Sequence, residues 1–486
     1  MILRLAVRSL AVRPLRTAVL AAGFGLGIAV MAALLGVGEV IIEQAHAPAL
    51  RGGGDLVVSG AFGPIESARF VLSNVIQSPG LQARVRSASP ARKASLYLIK
   101  PGMAATPVAV RGGIPSLEQA AGDHEVVGLG AWSDQPSDAS WSHPQPEDVL
   151  RAMDRFHPVP EKGIGTTDPF FDSWAEWLYF NGRSADGRLR FYLTFMAGAT
   201  NPEGKRPTSV RLQLDRNGRT TNFVSTAIVD ARQLLDHAPD LDIGGNRIRL
   251  DGTHYRITLA LAAESGAPYK SGAAQPSTSE VPLVGDITLD ASLGRSLPPA
   301  EIHGARGWLS GYVVPVLSGR LHGRLRVGDD VIALEGASGY HDHNWGFWEG
   351  VRWQWGQVAD GDLSIVFGRV FPPESVADPD RVPGFAAVLG PNGPIAFSTH
   401  VTIVEDDDGG APRRVAIQMK GPQLDVRLTL AVEETVASRM PLLQRAEGTS
   451  MTFLQLGGVY SVDGRAGDRT LGFTARGAAE TFRQGR

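Results

Sequence analysis

The chain of 486 residues contains no cysteine. This excludes disulfide bonds, thiolate catalysis and metal sites with cysteine ligands, but it does not exclude a location outside the cytoplasm. The net charge is also small: its formal value is −3, so nothing indicates a nucleic-acid partner. Beyond residue 37, no segment approaches 18 consecutive apolar residues. Because one helix cannot line a transport path, the chain is not a complete permease.

Turn-forming residues, in contrast, are abundant. The sequence has 58 glycines and 32 prolines, which favours many turns and short strands over long helices. Hydrophobic residues make up 43% and charged residues 20%, an ordinary globular composition. The length suffices for two or three domains, each with its own core.

One apolar run near the N-terminus predicts a membrane helix. Residues 17–37, "TAVLAAGFGLGIAVMAALLGV", carry no charge and are long enough, at about 1.5 Å per residue, to cross about 30 Å of hydrocarbon. Four arginines precede the run and two glutamates follow it, namely Arg4, Arg8, Arg13, Arg16, Glu39 and Glu43. The positive-inside rule therefore predicts a single-pass anchor with the N-terminus in the cytoplasm and everything after residue 45 outside it. The alternative is a cleaved signal peptide, because "GEVIIEQAHAPAL" contains a small-residue cleavage site.

The same region resembles the start of MacB/FtsX-type ABC-transporter permeases. The residues that carry this resemblance are "LAVRSLAVRPLRTAVLAAGFGLGIAV" and the later "GGGDLVVSG". The resemblance covers roughly a quarter of the chain and stops there, since the other membrane helices of such permeases are missing. It implies an inner-membrane anchor with an exported body, and an ABC transporter as an expected partner.

From about residue 150 onward the pattern is that of β-hairpins. Val210, Leu212 and Leu214 alternate with polar residues before a turn at Asn217-Gly218, and a second hairpin turns at Asp251-Gly252. Many short strands favour barrels or sandwiches, and we predict a mainly β fold of two antiparallel barrel-like halves, preceded by one N-terminal transmembrane helix. The predicted domains are a basic stub and anchor (1–45), a small permease-like extracytoplasmic segment (46–131), a linker (132–148), a first barrel (149–304) and a second barrel (305–486).

A first cluster of aromatic and polar residues is "FFDSWAEWLYFNG", residues 170–182. On a strand, Glu176 shares one face with Leu178, and the neighbouring aromatic residues alternate between the two faces. The carboxylate of Glu176 is either salt-bridged at a sheet edge or buried, and a buried one needs a partner or a raised pKa. The candidate ligand-binding residues here are Trp174, Glu176, Trp177 and Tyr179.

A second cluster, "GYHDHNWGFWEGVRWQWG" (339–356), contains four of the nine tryptophans. His341 and His343 point to the same side of a strand, which allows metal chelation, but no third ligand accompanies them and we predict no metal or other cofactor. Asp342 and Asn344 point to the opposite side, as an acid beside an amide that orients it. The alternative is that they cap a tight turn. The candidate apolar wall around them is Trp345, Phe347, Trp348, Trp353 and Trp355.

Three short segments resemble the AttH/carotenoid 1,2-hydratase family, also called hydroxyneurosporene synthase-like. "EWLYFNG" (176–182) and "GYHDHNWG" (339–346) are similar to its two hallmark blocks, and "ARGAAE" (475–480) is similar to its last strand. Leu178 departs from the aromatic residue usual in the family. The resemblance spans about 150–486. It implies two lipocalin-like barrel halves, a cavity for an elongated apolar ligand and, in the hydratases, addition of water to a terminal isoprenoid C=C with Asp342 as the acid.

Chemical reasoning fits that implication. Protonation of an unactivated alkene needs a carboxylic acid with a raised pKa, and the faces of tryptophan rings stabilise the cation that forms. Asn344, His343 or Tyr340 would orient the water, and His341 completes the candidate ligand-binding set. Three hypotheses remain: a membrane-anchored hydratase acting on a carotenoid or another isoprenoid, a non-catalytic lipid-binding accessory protein of an ABC exporter, and a polyene cyclase.

Overall fold

The computed structural model describes residues 144–160, 169–263, 281–292, 294–406, 410–438 and 451–484, together with shorter pieces before residue 144. The chain divides into two compact units. One contains residues 1–65 and 85–142, and the other contains residues 66–84 and 143–486.

The first unit contains one β-hairpin in its described part. Strand β1 (Ala91–Leu98) pairs antiparallel with β2 (Thr106–Gly113). The helices Pro115–Ala120 and Ala139–Ser142 and the 3-10 turn Pro136–Asp138 follow. Glu118 of the first helix is buried and accepts hydrogen bonds from Ser89 and Arg111, so the helix is joined to the preceding segment and to the hairpin.

The predicted membrane span, residues 17–37, lies mostly outside the described residues. Within the described part of the chain, no helix combines the length and the apolar character needed to cross a bilayer.

The second unit begins with a closed barrel of eight strands. These are β3 (Trp174–Arg183), β4 (Leu189–Gly198), β5 (Lys205–Arg216), β6 (Arg219–Asp230), β9 (His254–Ala263), β10 (Leu283–Ala291), β12 (Leu309–Val327) and β14 (Ala337–Phe347). Their order is β10-β12-β14-β3-β4-β5-β6-β9, and pairing of β9 with β10 closes the ring. The short strands β7 (Asp242–Ile243), β8 (Asn246–Asp251), β11 (Leu297–His303) and β13 (Asp330–Ala333) are attached to it.

A nine-stranded sheet follows. Its strands are β15 (Arg352–Asp360), β16 (Leu363–Phe371), β17 (Phe385–Gly390), β18 (Gly393–Ser398), β19 (His400–Glu405), β20 (Arg414–Gly421), β21 (Leu424–Ser438), β22 (Met451–Ala466) and β23 (Arg469–Gln484). The order is β18-β17-β16-β15-β23-β22-β21-β20-β19. The sheet curls until β18 approaches β20 and β21, so it is nearly closed.

These two sheets confirm the prediction of a mainly β protein with two barrel-like halves. The boundary between them differs from the sequence prediction, which placed it after residue 304. Strands β12 and β14 pair with β10 and β3, so the chain passes to the second sheet only between Phe347 and Arg352. The physical reason is that the closing strands of the first ring come from residues 309–347, beyond the predicted division.

Helical segments are few among the described residues. In the second unit they are the helices Ala68–Phe70, Pro146–Met153 and Ala231–His237, the π-helix Val71–Ile76, and the 3-10 turns Pro169–Ser173, Ala305–Gly307 and Pro379–Arg381. The helix Pro146–Met153 starts with proline and a capping box between Gln145 and Asp148. It buries Val149, Leu150 and Met153, the spacing of one helix face.

Strand alternation produces three apolar clusters. In β9, inward residues such as Ile257 and Leu259 alternate with exposed ones, and they fill the first ring. A second cluster, which includes Ile365 and Phe367, fills the other sheet. The third contains aromatic residues of both sheets, among them Tyr340 of β14. The two sheets therefore pack against each other through side chains that point out of each ring.

Candidate functional site

The two motif strands are neighbours in the first ring. Strand β14 pairs antiparallel with β3, so Asp342 lies opposite Tyr179 and His343 lies opposite Leu178. Alternation along β14 sends His341 and His343 into the first ring, whereas Tyr340, Asp342 and Asn344 face the second sheet. These residues lie in the middle of a strand, so the alternative that Asp342 and Asn344 cap a tight turn is wrong.

The carboxyl group of Asp342 is held by its neighbours on the same strand face. Tyr340 Oη donates to Asp342 Oδ2 at 2.8 Å, and Asn344 Nδ2 donates to Oδ1 at 2.6 Å. Residues two apart on a strand bring their side chains side by side, which makes both contacts local. Oδ1 of Asp342 therefore accepts from the amide of Asn344, and Oδ2 accepts from the phenol of Tyr340.

A second carboxyl group approaches from the other sheet. Glu480 of β23 accepts hydrogen bonds from Tyr179 Oη at 3.2 Å and from Trp353 Nε1 at 3.1 Å. Gln455 Nε2 donates to Tyr179 Oη at 3.3 Å. Thus Tyr179 of the first ring bonds to two residues of the second sheet, Glu480 and Gln455, and the site is formed by both sheets.

Both carboxyl groups favour the protonated form. Burial raises the pKa of Asp342 well above its usual range, and the nearby charge of Glu480 raises it further, against the hydrogen bonds from Tyr340 and Asn344. Burial raises the pKa of Glu480 to about 7. Asp342 keeps some accessible surface, and its hydrogen-bond partner Tyr340 lines a small cavity whose wall comes from both sheets. A carboxyl group with a raised pKa and one that titrates near neutrality therefore lie close enough for the charge of one to affect the other.

Two connected spaces adjoin these groups. A small cavity of about 10 Å³, lined by Tyr179, Tyr340 and Glu480, has roughly the volume of one water molecule. A cleft of about 250 Å³ shares Tyr340, Tyr192, Asn181, Gln357 and Ala478 with it. In the described structure, the indole N–H of Trp355 and the side-chain oxygen of Gln357 have no hydrogen-bond partner. The cavity wall thus offers one donor and one acceptor.

Aromatic rings surround the site. Trp355 contacts Tyr312 and Phe385, with ring centroids 5.4 and 5.2 Å apart. Trp353 contacts Phe482 at 4.4 Å and Trp348 at 5.8 Å. Trp348 in turn lies 4.5 Å from Trp177. Of the predicted residues, Trp177, Trp348 and Trp353 therefore form one aromatic cluster that reaches Glu480 through Trp353, and Trp355 lines the small cavity.

Other predicted residues belong to a separate network inside the first ring. Glu176 is fully buried and contacts Arg206 at 3.2 Å, His157 at 2.8 Å and His343 at 3.1 Å. His341 bonds to the buried Asp154 at 3.0 Å. The predicted catalytic role of His343 and the ligand-binding roles of His341 and Glu176 do not fit this position, because these side chains point away from Asp342.

Trp174 and Trp345 also lie elsewhere. Trp174 packs against Phe347 with ring centroids 5.1 Å apart. Trp345 stacks on His157 at 4.3 Å and donates its indole N–H to Glu301 at 2.9 Å. Both rings pack at one end of the first ring, so they do not line the space beside Asp342.

One group of described residues has the spacing of metal ligands. Ligand atoms of His157, Glu176 and His343 lie within 4.8 Å of one another. However, the guanidinium of Arg206, only 1% exposed, already pairs with Glu176. A divalent cation would have to share that carboxylate with a buried positive charge, so the donor set fits an ion-paired network better than a metal centre.

Sequence reasoning missed Glu480, Gln455 and Tyr192. The only signal for Glu480 was its place at the end of "ARGAAE", and a single glutamate does not indicate a catalytic role unless its surroundings are known. Its partner Tyr179 lies 301 positions earlier in the chain. Only the packing of the two sheets brings these residues together.

No protein-family model matches the chain, and neither does any curated protein. Among solved structures, a protein described as AttH from Nitrosomonas europaea is 14% identical, with a TM-score of 0.38, over 67% of this chain and 98% of that one. Kievitone hydratase of Nectria haematococca is 14% identical, with a TM-score of 0.39, over 67% and 96%. CghA bound to Sch210972 is 11% identical, with a TM-score of 0.40, over 69% and 94%.

Proposed function

We propose that this protein adds water to a C=C bond of an isoprenoid or related lipid, with Asp342 as the proton donor. The observation that carries this proposal is a buried carboxyl group, whose pKa burial raises, held by Tyr340 and Asn344 on the strand face that packs against the second sheet. Hydration of an unactivated alkene needs such an acid, because an ionised carboxylate has no proton to give.

The first step forms a C–H bond. The amide N–H of Asn344 can only donate to Oδ1, whereas the hydroxyl of Tyr340 can donate to Oδ2 or accept from it, so the acid proton of Asp342 is placed on Oδ2. The π electrons of the alkene take this proton, which leaves a carboxylate on Asp342 and a cation on the more substituted carbon. The ring of Trp355, which lines the small cavity, would stabilise the cation through its quadrupole.

The second step forms the C–O bond. A water molecule in the small cavity beside Tyr179, Tyr340 and Glu480 attacks the cation through an oxygen lone pair. The resulting oxonium gives a proton to the carboxylate of Glu480, whose pKa of about 7 suits a base at neutral pH. Transfer of that proton to Asp342 restores the starting state, and the net reaction is alkene plus water to alcohol.

The available space bounds the ligand. The cleft of about 250 Å³ lies below the ~300–1,000 Å³ of pockets for drug-sized ligands. It therefore takes one end of a long chain and not the whole of it. The reacting double bond would accordingly lie near an end of the molecule.

Oxygen-isotope labelling tests this function. We would incubate the protein with lycopene or geranic acid in H₂¹⁸O and measure the incorporation of one ¹⁸O atom by mass spectrometry. We expect labelled alcohol from the natural protein and at least about a hundredfold less from Asp342→Asn, since general acid catalysis contributes about 10²–10⁴-fold. Asp251→Asn, at an exposed ion pair, is the control. Absence of label with both substrates, or equal label in Asp342→Asn, would contradict the proposal.

A second candidate function rests on the N-terminal sequence. Under it, the protein is a lipid-binding accessory of an ABC exporter, held in a bacterial inner membrane by residues 17–37 with its body in the periplasm. The support is the uncharged run and the arginines before it. Alkaline phosphatase fused after residue 50 should be active in a bacterial host, and an inactive fusion would reject this topology. Lipid retained without turnover would favour this function over hydration.

A further inference from the structure

The cleft next to the candidate site is lined by three arginines, Arg183, Arg190 and Arg476, and by no carboxylate among its described lining residues. Arg183 and Arg190 come from neighbouring strands of the first ring, where they lie directly opposite each other. Arg476 comes from β23 of the second sheet. Three cations in one cleft are unusual for a space that would hold only apolar groups.

Arg183 has no carboxylate partner in the described structure. Its guanidinium donates to the backbone carbonyls of Gly477 at 2.8 Å and Arg476 at 2.9 Å. Burial lowers its pKa, and the charges of Arg190 and Arg476 lower it further. The three guanidinium groups are therefore close enough to repel one another. An anion in the cleft would remove that repulsion.

Arg190 is 8% exposed, and its Nη1 has no hydrogen-bond partner in the described structure. Its Nη2 pairs with Glu434 and lies 3.6 Å from Asp215. A side chain at Gly457, which also lines the cleft, would collide with Nη1, so the glycine leaves room for the guanidinium. A buried N–H donor without a partner at a cleft is a vacant position for an acceptor.

Arg476 is the more exposed of the three and pairs with Glu433 at 2.6 Å. Glu433, Glu434 and Asp215 neutralise part of the arginine charge, but none of them lines the cleft. The positive ends therefore face the cleft while the carboxylates stand behind them. This arrangement suits a carboxylate or phosphate group, which guanidinium groups bind through charge-assisted hydrogen bonds.

We propose that Arg183, Arg190 and Arg476 form a subsite for the anionic end of an amphiphilic ligand, a carboxylate or a phosphate. The inference rests on the proposed function, because Tyr340 lines both the cleft and the small cavity. With its anionic group on the arginines, such a ligand directs its short unsaturated chain toward Tyr340 and Asp342. The substrate class thus becomes an acidic or phosphorylated short isoprenoid.

Binding of three matched probes tests the subsite without any turnover. Geranic acid, geranyl phosphate and geraniol carry the same chain with a monoanion, a phosphate and a neutral hydroxyl. We expect calorimetric titration of the full chain to give at least about tenfold tighter binding for one or both anionic probes than for geraniol, the size of one charged hydrogen bond. The ratio between the two anionic probes distinguishes a carboxylate ligand from a phosphate ligand. The preference should weaken as salt is raised.

Two arginine substitutions make the test specific. Arg183→Gln and the surface change Arg476→Gln should each weaken binding of the preferred anion about tenfold and leave geraniol unchanged. Arg247→Gln, outside the cleft and paired with Asp242, should leave all three affinities unchanged. Equal affinity for geraniol and the anions, or no binding of either anion, overturns the subsite. An anion preference that persists while Asp342→Asn retains full activity overturns the hydration mechanism and leaves the subsite standing.

Discussion

Asp342 and Glu480 belong to different sheets, and the tyrosines that bond to them, Tyr340 and Tyr179, line the same small cavity. Each accepts a hydrogen bond from a tyrosine, Tyr340 in one case and Tyr179 in the other. The rings of these tyrosines lie 6.3 Å apart. Because the charge of Glu480 raises the pKa of Asp342, the two carboxyl groups titrate jointly.

The pH dependence of turnover should report this pair. With Glu480 as base, the rate should rise with pH through about 7 as its carboxyl ionises. In Glu480→Gln, this rise should disappear and the maximal rate should fall by about 10²-fold or more. The measurement is kcat against pH for both proteins. A rise that persists near pH 7 in Glu480→Gln would exclude Glu480 as the base.

At the scale of single elements, the two faces of β14 have different roles, because successive side chains of a strand point to opposite sides. Its outward residues form the candidate site, and its inward residues His341 and His343 fix the segment after the helix Pro146–Met153. His343 bonds to Glu176 and to the carbonyl of Met153, and His341 bonds to Asp154. Buried ion pairs of this kind connect the segment to the interior of the ring.

Glu176→Gln should destabilise the protein by about 3–5 kcal/mol, because it leaves the buried guanidinium of Arg206 without its carboxylate. Urea unfolding measures this change, with exposed Glu335→Gln as a control that should have little effect. Burial opposes ionisation of Glu176, but hydrogen bonds from His157 and His343 lower its pKa to about 2. Its stabilisation is therefore full above its ordinary pKa of 4.5 and should be lost as pH falls toward 2. An unchanged urea midpoint would contradict this account.

Glycines of the two motifs have a steric role. Gly182 of β3 lies opposite Gly339 of β14, and a Cβ at Gly182 would collide with Phe191 and Leu321. Gly182→Ala should therefore cost about 1–3 kcal/mol by overpacking. Gly472→Ala, where a Cβ would meet nothing within 4 Å, is the matched control. Equal unfolding midpoints for the two variants would show that the ring tolerates the added methyl group.

Alternation in the sequence predicted which face of β14 each residue occupies, because that depends only on the period of a strand. It also predicted two barrel-like sheets from their hairpins. It could not predict that β12 and β14 close the first ring, since strand pairing between distant segments leaves no local pattern. The role of Glu480 could not be predicted for the same reason, because its environment comes from Tyr179, Trp353 and the packing of two sheets.

For the whole molecule, two buried acids, Glu176 and Glu480, should make the free energy of unfolding depend on pH in opposite directions. Because burial raises the pKa of Glu480 from 4.5 to about 7, the folded state binds more protons than the unfolded state in that window. The free energy of unfolding should therefore fall as pH rises from about 4.5 to 7. Glu480→Gln should flatten this fall and leave the acid limb of Glu176 unchanged. Urea midpoints of both proteins measured from pH 3 to 8 check these two pH dependences. If Glu480→Gln left the fall of the midpoint above pH 5 unaltered, the raised pKa could not belong to Glu480.

The most direct test of the account is the protonation state of Asp342 at neutral pH. An infrared difference spectrum between the natural protein and Asp342→Asn measures it without any substrate. We predict that the natural protein shows the C=O band of a protonated carboxylic acid at pH 7, that Asp342→Asn lacks it, and that Glu480→Gln retains it. Loss of only ionised carboxylate bands in Asp342→Asn would show that Asp342 has no proton to donate, and acid catalysis by this residue would be excluded.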